Sequence, residues 1–288
     1  MSDPAPKLVV GVWQGTCADG DVAANLARAA QVVDEAAGAG CDFVCLPETF
    51  LSGYGSRELI ERGALALDDP RLLDLARRAR DRNVVTLVGL TERRAGGLAN
   101  TQVVLDAGRV SGAYRKTQLT GGDARTMRFE QDDELPVFHA RGVCFAIQIC
   151  HDSSFPEIAS TYAWKGARLL FSPHYNAISA ETMDEHRIRV RNNHIGEAAH
   201  FNLVVARSNV IVFNNPVLPG KLGYGDSAIY SPLGEPLAEA GLFTERLVTA
   251  DVGKWLRARP YWDFRASLRP ALVEHWAAAA RAALAKPR

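Results

Sequence analysis

Long apolar runs are missing from this chain of 288 residues: nothing in it is apolar for long enough to span a bilayer. Ahead of the first expected strand, Leu8–Trp13, there is no apolar stretch of the kind that marks a secretory signal. An excess of charge of one sign is missing too. Lys and Arg together number 33, as do Asp and Glu, which argues against a nucleic-acid groove or a basic membrane-binding face. The densest basic cluster, Arg77, Arg78, Arg80 and Arg82, is interleaved with Asp74 and Asp81 and reads as a solvated helix face. Cysteines number five, at positions 17, 41, 45, 144 and 150. An odd count without compact spacing fits a reducing cytoplasm better than a disulfide scaffold. Neither Cys-x-x-Cys nor His-Glu-x-x-His occurs, so no metal site is expected.

What is present is an ordinary globular composition, 47% apolar and 23% charged, enough for a substantial core. Strand and helix patterns alternate. After Leu8–Trp13 a helix is expected from Asp21, with Val22, Leu26, Ala29 and Val33 on one face and Gly38 and Gly40 ending it. Strand Asp42–Leu46 stops at Pro47, and Asp69-Pro70 supplies cap and first turn of the next helix. A strand at Val84–Leu90 and a hairpin, 101–105 with 110–114, follow. Strand 143–149, a helix over 155–165, strand 168–172, a long helix over 181–200 and strand 203–209 complete the second half. Two later strands lie near 227–230 and 247–251, and an Ala-rich helix begins near Leu268. The run Gly40–Pro47 echoes Gly166–Pro173, each after a helix. Two βα halves of one design suggest two packed sheets with helices outside. No linker separates the halves, so a single domain over 1–288 is expected, with a C-terminal helical extension from about 262.

Three polar residues stand at strand ends, where α/β folds collect their sites. Glu48 follows Pro47, Lys116 follows strand 110–114, and Cys150 ends strand 143–149 ahead of a helix opening at Phe155-Pro156-Glu157. A carboxylate can take a thiol proton and later activate water, and an ammonium can stabilise an oxyanion and favour a thiolate. Each alone has a plain structural reading, since free cysteine is commonly packed and Glu or Lys after a strand is commonly a loop residue. Their co-occurrence carries the chemical one.

The segments around them resemble the nitrilase superfamily of carbon–nitrogen hydrolases. Leu46-Pro47-Glu48-Thr49-Phe50 through Gly53-Tyr54 is similar to its Glu segment, Tyr114-Arg115-Lys116-Thr117-Gln118-Leu119 to its Lys segment, and Ile149-Cys150-His151-Asp152 through Phe155-Pro156-Glu157 to its nucleophile segment. Ala206–Asn209 and Gly225–Glu235 also match, and the resemblance runs from about 7 to 255. It implies an α-β-β-α sandwich assembled as a homodimer or larger homo-oligomer. It further implies hydrolysis of a small-molecule C–N bond through a Cys150 thioester, with Glu48 as base, Lys116 on the oxyanion and no cofactor. His151-Asp152 after the cysteine resembles the amidase and N-carbamoyl-amide branches rather than nitrilases, which favours an amide or ureido substrate.

One departure stands out. The family commonly places a second Glu after the Lys, and counting back from Phe129 puts Arg125 there, with Asp123 and Glu130 nearby but out of register. Three readings stay open: a neighbouring acid substitutes, the site works without one, or hydrolysis has been lost. Nitrile hydrolysis, acyl transfer and a non-catalytic role are the alternatives to amide cleavage. Arg125 could also bind an acidic group through its fork of donors. His151 is a candidate for the oxyanion hole through its backbone N–H. His174 and Asn176 are candidates for the pocket wall against a plain loop reading of equal standing, and Tyr54 is a candidate at a place where an aromatic is more often core. Phe50 and Trp164 read as core, and His186, Arg187, Arg189 and Arg191 as a solvent or subunit face.

Overall fold

Local signals set the helix boundaries. The Asp21 carboxylate caps helix α1 (Val22–Gly38) by accepting from Ala24 N at 3.0 Å, and Asp69 caps helix α3 by accepting from Arg71 N at 2.9 Å, with Pro70 in its first turn. A computed structural model describes residues 7–257 and 268–285. Along the chain come β1 (Val9–Gln14), α1, β2 (Phe43–Cys45), α2 (Arg57–Gly63), α3 (Pro70–Asp81), β3 (Val85–Arg93), β4 (Leu98–Asp106) and β5 (Arg109–Arg115). The second half has β6 (Phe138–Ala140), β7 (Val143–Ile147), α4 (Pro156–Trp164), β8 (Leu169–His174), β9 (Ala177–Ser179), α5 (Met183–Phe201) and β10 (Val204–Asn209). Then follow β11 (Ile211–Val212), β12 (Lys221–Tyr224), β13 (Ala228–Tyr230), β14 (Pro236–Glu239), β15 (Arg246–Asp251) and α6 (Gly253–Arg257). The first compact unit ends at Ala258; the second, from Arg259, contains α7 (Pro270–Leu284). The expected boundary near 262 lies outside the described residues.

Two six-stranded sheets form the centre, ordered β15-β1-β2-β3-β4-β5 and β14-β13-β10-β8-β7-β6. Within each, the βα repeats pair in parallel (β1 with β2 and β2 with β3; β7 with β8 and β8 with β10) and hairpins extend the edges antiparallel. The sheets face each other through aromatic rings: Phe43 on β2 lies 5.4 Å from Phe145 on β7 and 5.8 Å from Phe171 on β8. On the far side of the first sheet, Val32, Val33 and Ala36 of α1 and Leu72, Leu75 and Ala76 of α3 pack with Val44, Leu46 and Val88 in one buried cluster. Each of the Val and Leu side chains contributes about 1.5–3 kcal/mol by leaving water. Helix α5 covers the second sheet, and the molecule is an α-β-β-α sandwich, as the echo of the two halves predicts. The arginine cluster on α3 is exposed, with Arg78 and Arg82 paired to Asp34 of α1. No described helix is long and apolar enough to cross a membrane.

A third, three-stranded sheet, β11-β12-β9, falls outside the strands expected from sequence. Its strands are two to four residues long, too short for an alternating pattern to register.

Candidate active site

The loop after β2 carries Glu48 inward because Gly89 on β3 lets it pass. A Cβ on Gly89 would sit 2.4 Å from Pro47 O and from Thr49 N, and Leu51 N donates to Gly89 O at 2.9 Å. Thr49, next to Glu48, has φ +46°, and Cys150 has φ +51°. Non-glycine residues in this left-handed region store strain of about 1–3 kcal/mol and persist where the surroundings enforce them. At Cys150 the enforcement is visible. Past the end of β7, Gln148 N still donates to Phe171 O, then Ile149 N turns to the Asp152 carboxylate at 2.7 Å and a single 3-10 turn, Cys150–Ser154, begins. The sharp strand-to-helix corner projects the sulfur out of the core.

Asp152 holds that corner to the lysine loop. It is buried, accepts from Ile149 N, Gln118 N (2.8 Å), Tyr114 Oη (2.7 Å) and Thr117 Oγ1 (3.2 Å), and burial raises its pKa above the ordinary carboxylate range. Asp152→Ala orphans two backbone donors and two hydroxyls at once. We expect a loss of about 2–4 kcal/mol in chemical denaturation; an unchanged unfolding midpoint would count against this bracing role.

Lys116 lies between two carboxylates. Its Nζ is 2.8 Å from Glu48 Oε1 and 2.9 Å from Asp123 Oδ2, and all three residues are buried. Glu48 also accepts from Asn100 Nδ2 and from Tyr175 N, both at 2.7 Å. Asp123 accepts from Tyr54 Oη at 2.9 Å and from Thr120 N at 2.8 Å. Burial opposes the charge on Lys116, but Glu48 and Asp123 hold its pKa well above the usual lysine range. Burial likewise opposes ionisation of Asp123, and Lys116 overcomes it, leaving that carboxyl below its ordinary range. At Cys150 the balance goes the other way: burial and the Glu48 charge raise the thiol well above the usual range against the pull of Lys116. Asn176 Nδ2 donates to its Sγ at 3.4 Å.

Glu48, Lys116 and Cys150 line a cavity of about 230 Å³. Of the residues expected from sequence, Glu48, Lys116, Cys150, His151, Tyr54, His174 and Asn176 all line it, with Tyr54 stacked on Tyr175 at 5.0 Å. Arg125 does not: it is exposed and outside the lining. Residues 122–127 form a wide π-helical turn, after which Phe129 N reaches back to Asp123 O, so the count back from Phe129 to Arg125 falls short. The second acid of this site is Asp123, two residues earlier. His186 corrects a second expectation, since it faces the cavity rather than solvent and lies 3.0 Å from Tyr224 Oη through Nδ1. The spacing 186, 190, 194 marks that face of α5, where Val190 and His194 are buried. Phe50 is core, and Trp164 lies outside the lining. Among the described residues no group of three His, Cys, Asp or Glu is arranged to hold a metal ion.

A thiol at a strained corner, beside a buried carboxylate–ammonium–carboxylate row, is equipped for acyl chemistry. A family model described as carbon-nitrogen hydrolase matches residues 9–258, and the chain belongs to that family. In sequence it is similar to an N-carbamoylputrescine amidase from Solanum tuberosum, at 28% identity over 95% of this chain and 96% of that one. It is also similar to an (R)-stereoselective amidase from a Pseudomonas species, at 28% identity over 85% and 86%. In fold it resembles an amidase from Nesterenkonia sp., with a TM-score of 0.77, 22% identity and coverage of 95% of this chain and 98% of that one. The protein is a carbon–nitrogen hydrolase with amidases among its relatives.

Proposed function

We propose that the protein hydrolyses a small amide or N-carbamoyl amide through a thioester on Cys150. The observation that carries this reading is the buried Glu48–Lys116–Asp123 row beside the sulfur. Glu48 takes the thiol proton as sulfur bonds to the substrate carbon. Lys116, whose ammonium has three donors and two carboxylate partners, turns the third to the developing oxyanion, joined by the N–H of His151. The C–N bond then breaks and the amine leaves with the proton held by Glu48. Water, deprotonated by Glu48, attacks the thioester, and acid and free thiol result.

Asp123 supplies the second carboxylate whose place Arg125 had put in doubt, which removes the motive for a non-catalytic reading. Amides and ureides are preferred over nitriles on the His151-Asp152 pair. Free cysteines throughout accord with a cytoplasmic setting, and association into a homo-oligomer belongs to the same proposal.

Ammonia release from simple amides, N-carbamoyl amino acids, ω-amides of dicarboxylic acids and nitriles, with Cys150→Ala as blank, tests the reaction. Turnover on an amide or ureide that vanishes in Cys150→Ala is the expected result. Turnover surviving that substitution would sink the mechanism, and activity confined to nitriles would sink the substrate class.

A further inference from the structure

Behind the cavity wall, where β7 and β8 meet α5, five polar side chains share one buried space: Gln148, Ser172, His174, His194 and Glu197. Burying so many polar groups costs free energy unless each is paired. Gln148 Nε2 donates to Glu197 Oε2 at 2.8 Å and reaches Ser172 Oγ at 3.4 Å. Ser172 Oγ lies 3.0 Å from His174 Nε2 and 2.9 Å from His194 Nε2, and the two ring nitrogens are 3.2 Å apart. His194 Nδ1 is 2.8 Å from Val190 O.

The protons follow from this network. A carbonyl only accepts, so His194 carries its proton on Nδ1. Burial keeps both rings neutral, with His194 pushed down to about 3 and His174 well below the usual range, so His194 Nε2 is a bare lone pair. Were His174 protonated on Nδ1, two bare Nε2 atoms would face each other across one Ser172 proton, and a buried N–H would lack an acceptor. With the proton on Nε2, His174 donates to Ser172 and Ser172 donates to His194. The lone pair of His174 Nδ1 then remains, buried and without a protein partner, on a residue that lines the cavity.

We propose that His174 Nδ1 is a substrate-binding acceptor that takes an N–H of the amide or ureido group, with Ser172 and His194 fixing its tautomer. The proposal rests on the amide-cleaving reading of Cys150 and deepens it. A lone pair there attracts the nitrogen side of a carboxamide and repels the oxygen side, so the group enters with oxygen towards Lys116 and nitrogen towards His174. Esters, which have no N–H, gain nothing from it.

The test compares a primary amide with the methyl ester of the same acid in wild type and His174→Phe. The expected result is a fall of about tenfold to a hundredfold in the ratio of amide to ester kcat/KM. Equal losses on both substrates, or none on either, would overturn the proposal. An independent readout needs neither activity nor the variant: in the ¹⁵N-histidine spectrum of the wild-type protein, His174 should show a bare Nδ1 and a protonated Nε2. A proton on Nδ1 would overturn the assignment. Wild type inactive on amide and ester alike would instead sink the amidase reading, and the spectrum would still decide the tautomer.

Discussion

Lys116→Met is expected to lower kcat/KM by more than about a thousandfold and to destabilise the fold by about 3–5 kcal/mol. The second figure follows from what the substitution leaves behind. Glu48 and Asp123 stand on either side of the ammonium, both within 3 Å of it and both buried. Without the cation, two carboxylates face each other away from water, and the hydrogen bonds from Asn100, Tyr175, Tyr54 and Thr120 solvate them only in part. The pH dependence has a definite sign. In the wild type, Asp123 has a lowered pKa, so its contribution to stability is present above the unfolded value and lost as pH falls through the folded one. In the variant Asp123 loses the cation that holds its carboxyl down while burial still opposes its charge, and the folded state takes up protons instead. The deficit against wild type should therefore be larger at pH 8 than at pH 5, as read from denaturant midpoints. Adding Asp123→Asn to Lys116→Met should recover part of the stability, because one of the two uncompensated charges is gone. A deficit independent of pH, or no recovery in the double variant, would show that the row is held together by something other than charge.

What could be read from sequence divides along physical lines. The alternation of β2, α3, β3 and of β7, α4, β8 is written in apolar periodicity, Asp caps and Gly stops, all local signals. Glu48, Lys116 and Cys150 could be found because each lies within three residues of a strand's end, so that the strand fixes the residue's place. Asp123 stands out of register in the sequence, as one of two neighbouring acids, because it lies on a π-helical turn, where counting from a neighbouring aromatic fails by the width of the turn. His186 escaped because α5 carries charged residues on several sides, from Asp184 to Arg191, and its one cavity-facing row is hidden among them. The polar cluster of Gln148, Ser172, His174, His194 and Glu197 is the hardest case. Polar residues on a strand or helix read as solvent-facing, and only the packing of α5 on the second sheet shows that these five bury one another.

Glu48→Gln is expected to separate two reactions of Cys150 that would otherwise move together. Burial and the Glu48 charge raise the thiol pKa, and Lys116 pulls it down. Free Cys150 is thus protonated near neutral pH, and attack on a substrate needs a base at hand. Glutamine cannot accept the proton, so amide turnover should fall by about a hundredfold to ten-thousandfold. Alkylation by iodoacetamide depends instead on how much thiolate already exists. Removing the Glu48 charge deletes one of the effects that hold the thiol protonated and leaves Lys116 in place, so the pKa of Cys150 should drop and alkylation at a fixed pH should quicken. Measured side by side on the same preparation, hydrolysis slows while alkylation accelerates, a divergence that local misfolding would not produce, since a displaced corner at Cys150 slows both. Parallel loss of the two rates would therefore point to damage at the corner, and retained hydrolysis would remove Glu48 from the proton's path. Lys116 keeps its second carboxylate, Asp123, in this variant, which is why Glu48→Gln isolates the base where Lys116→Met dismantles the whole row.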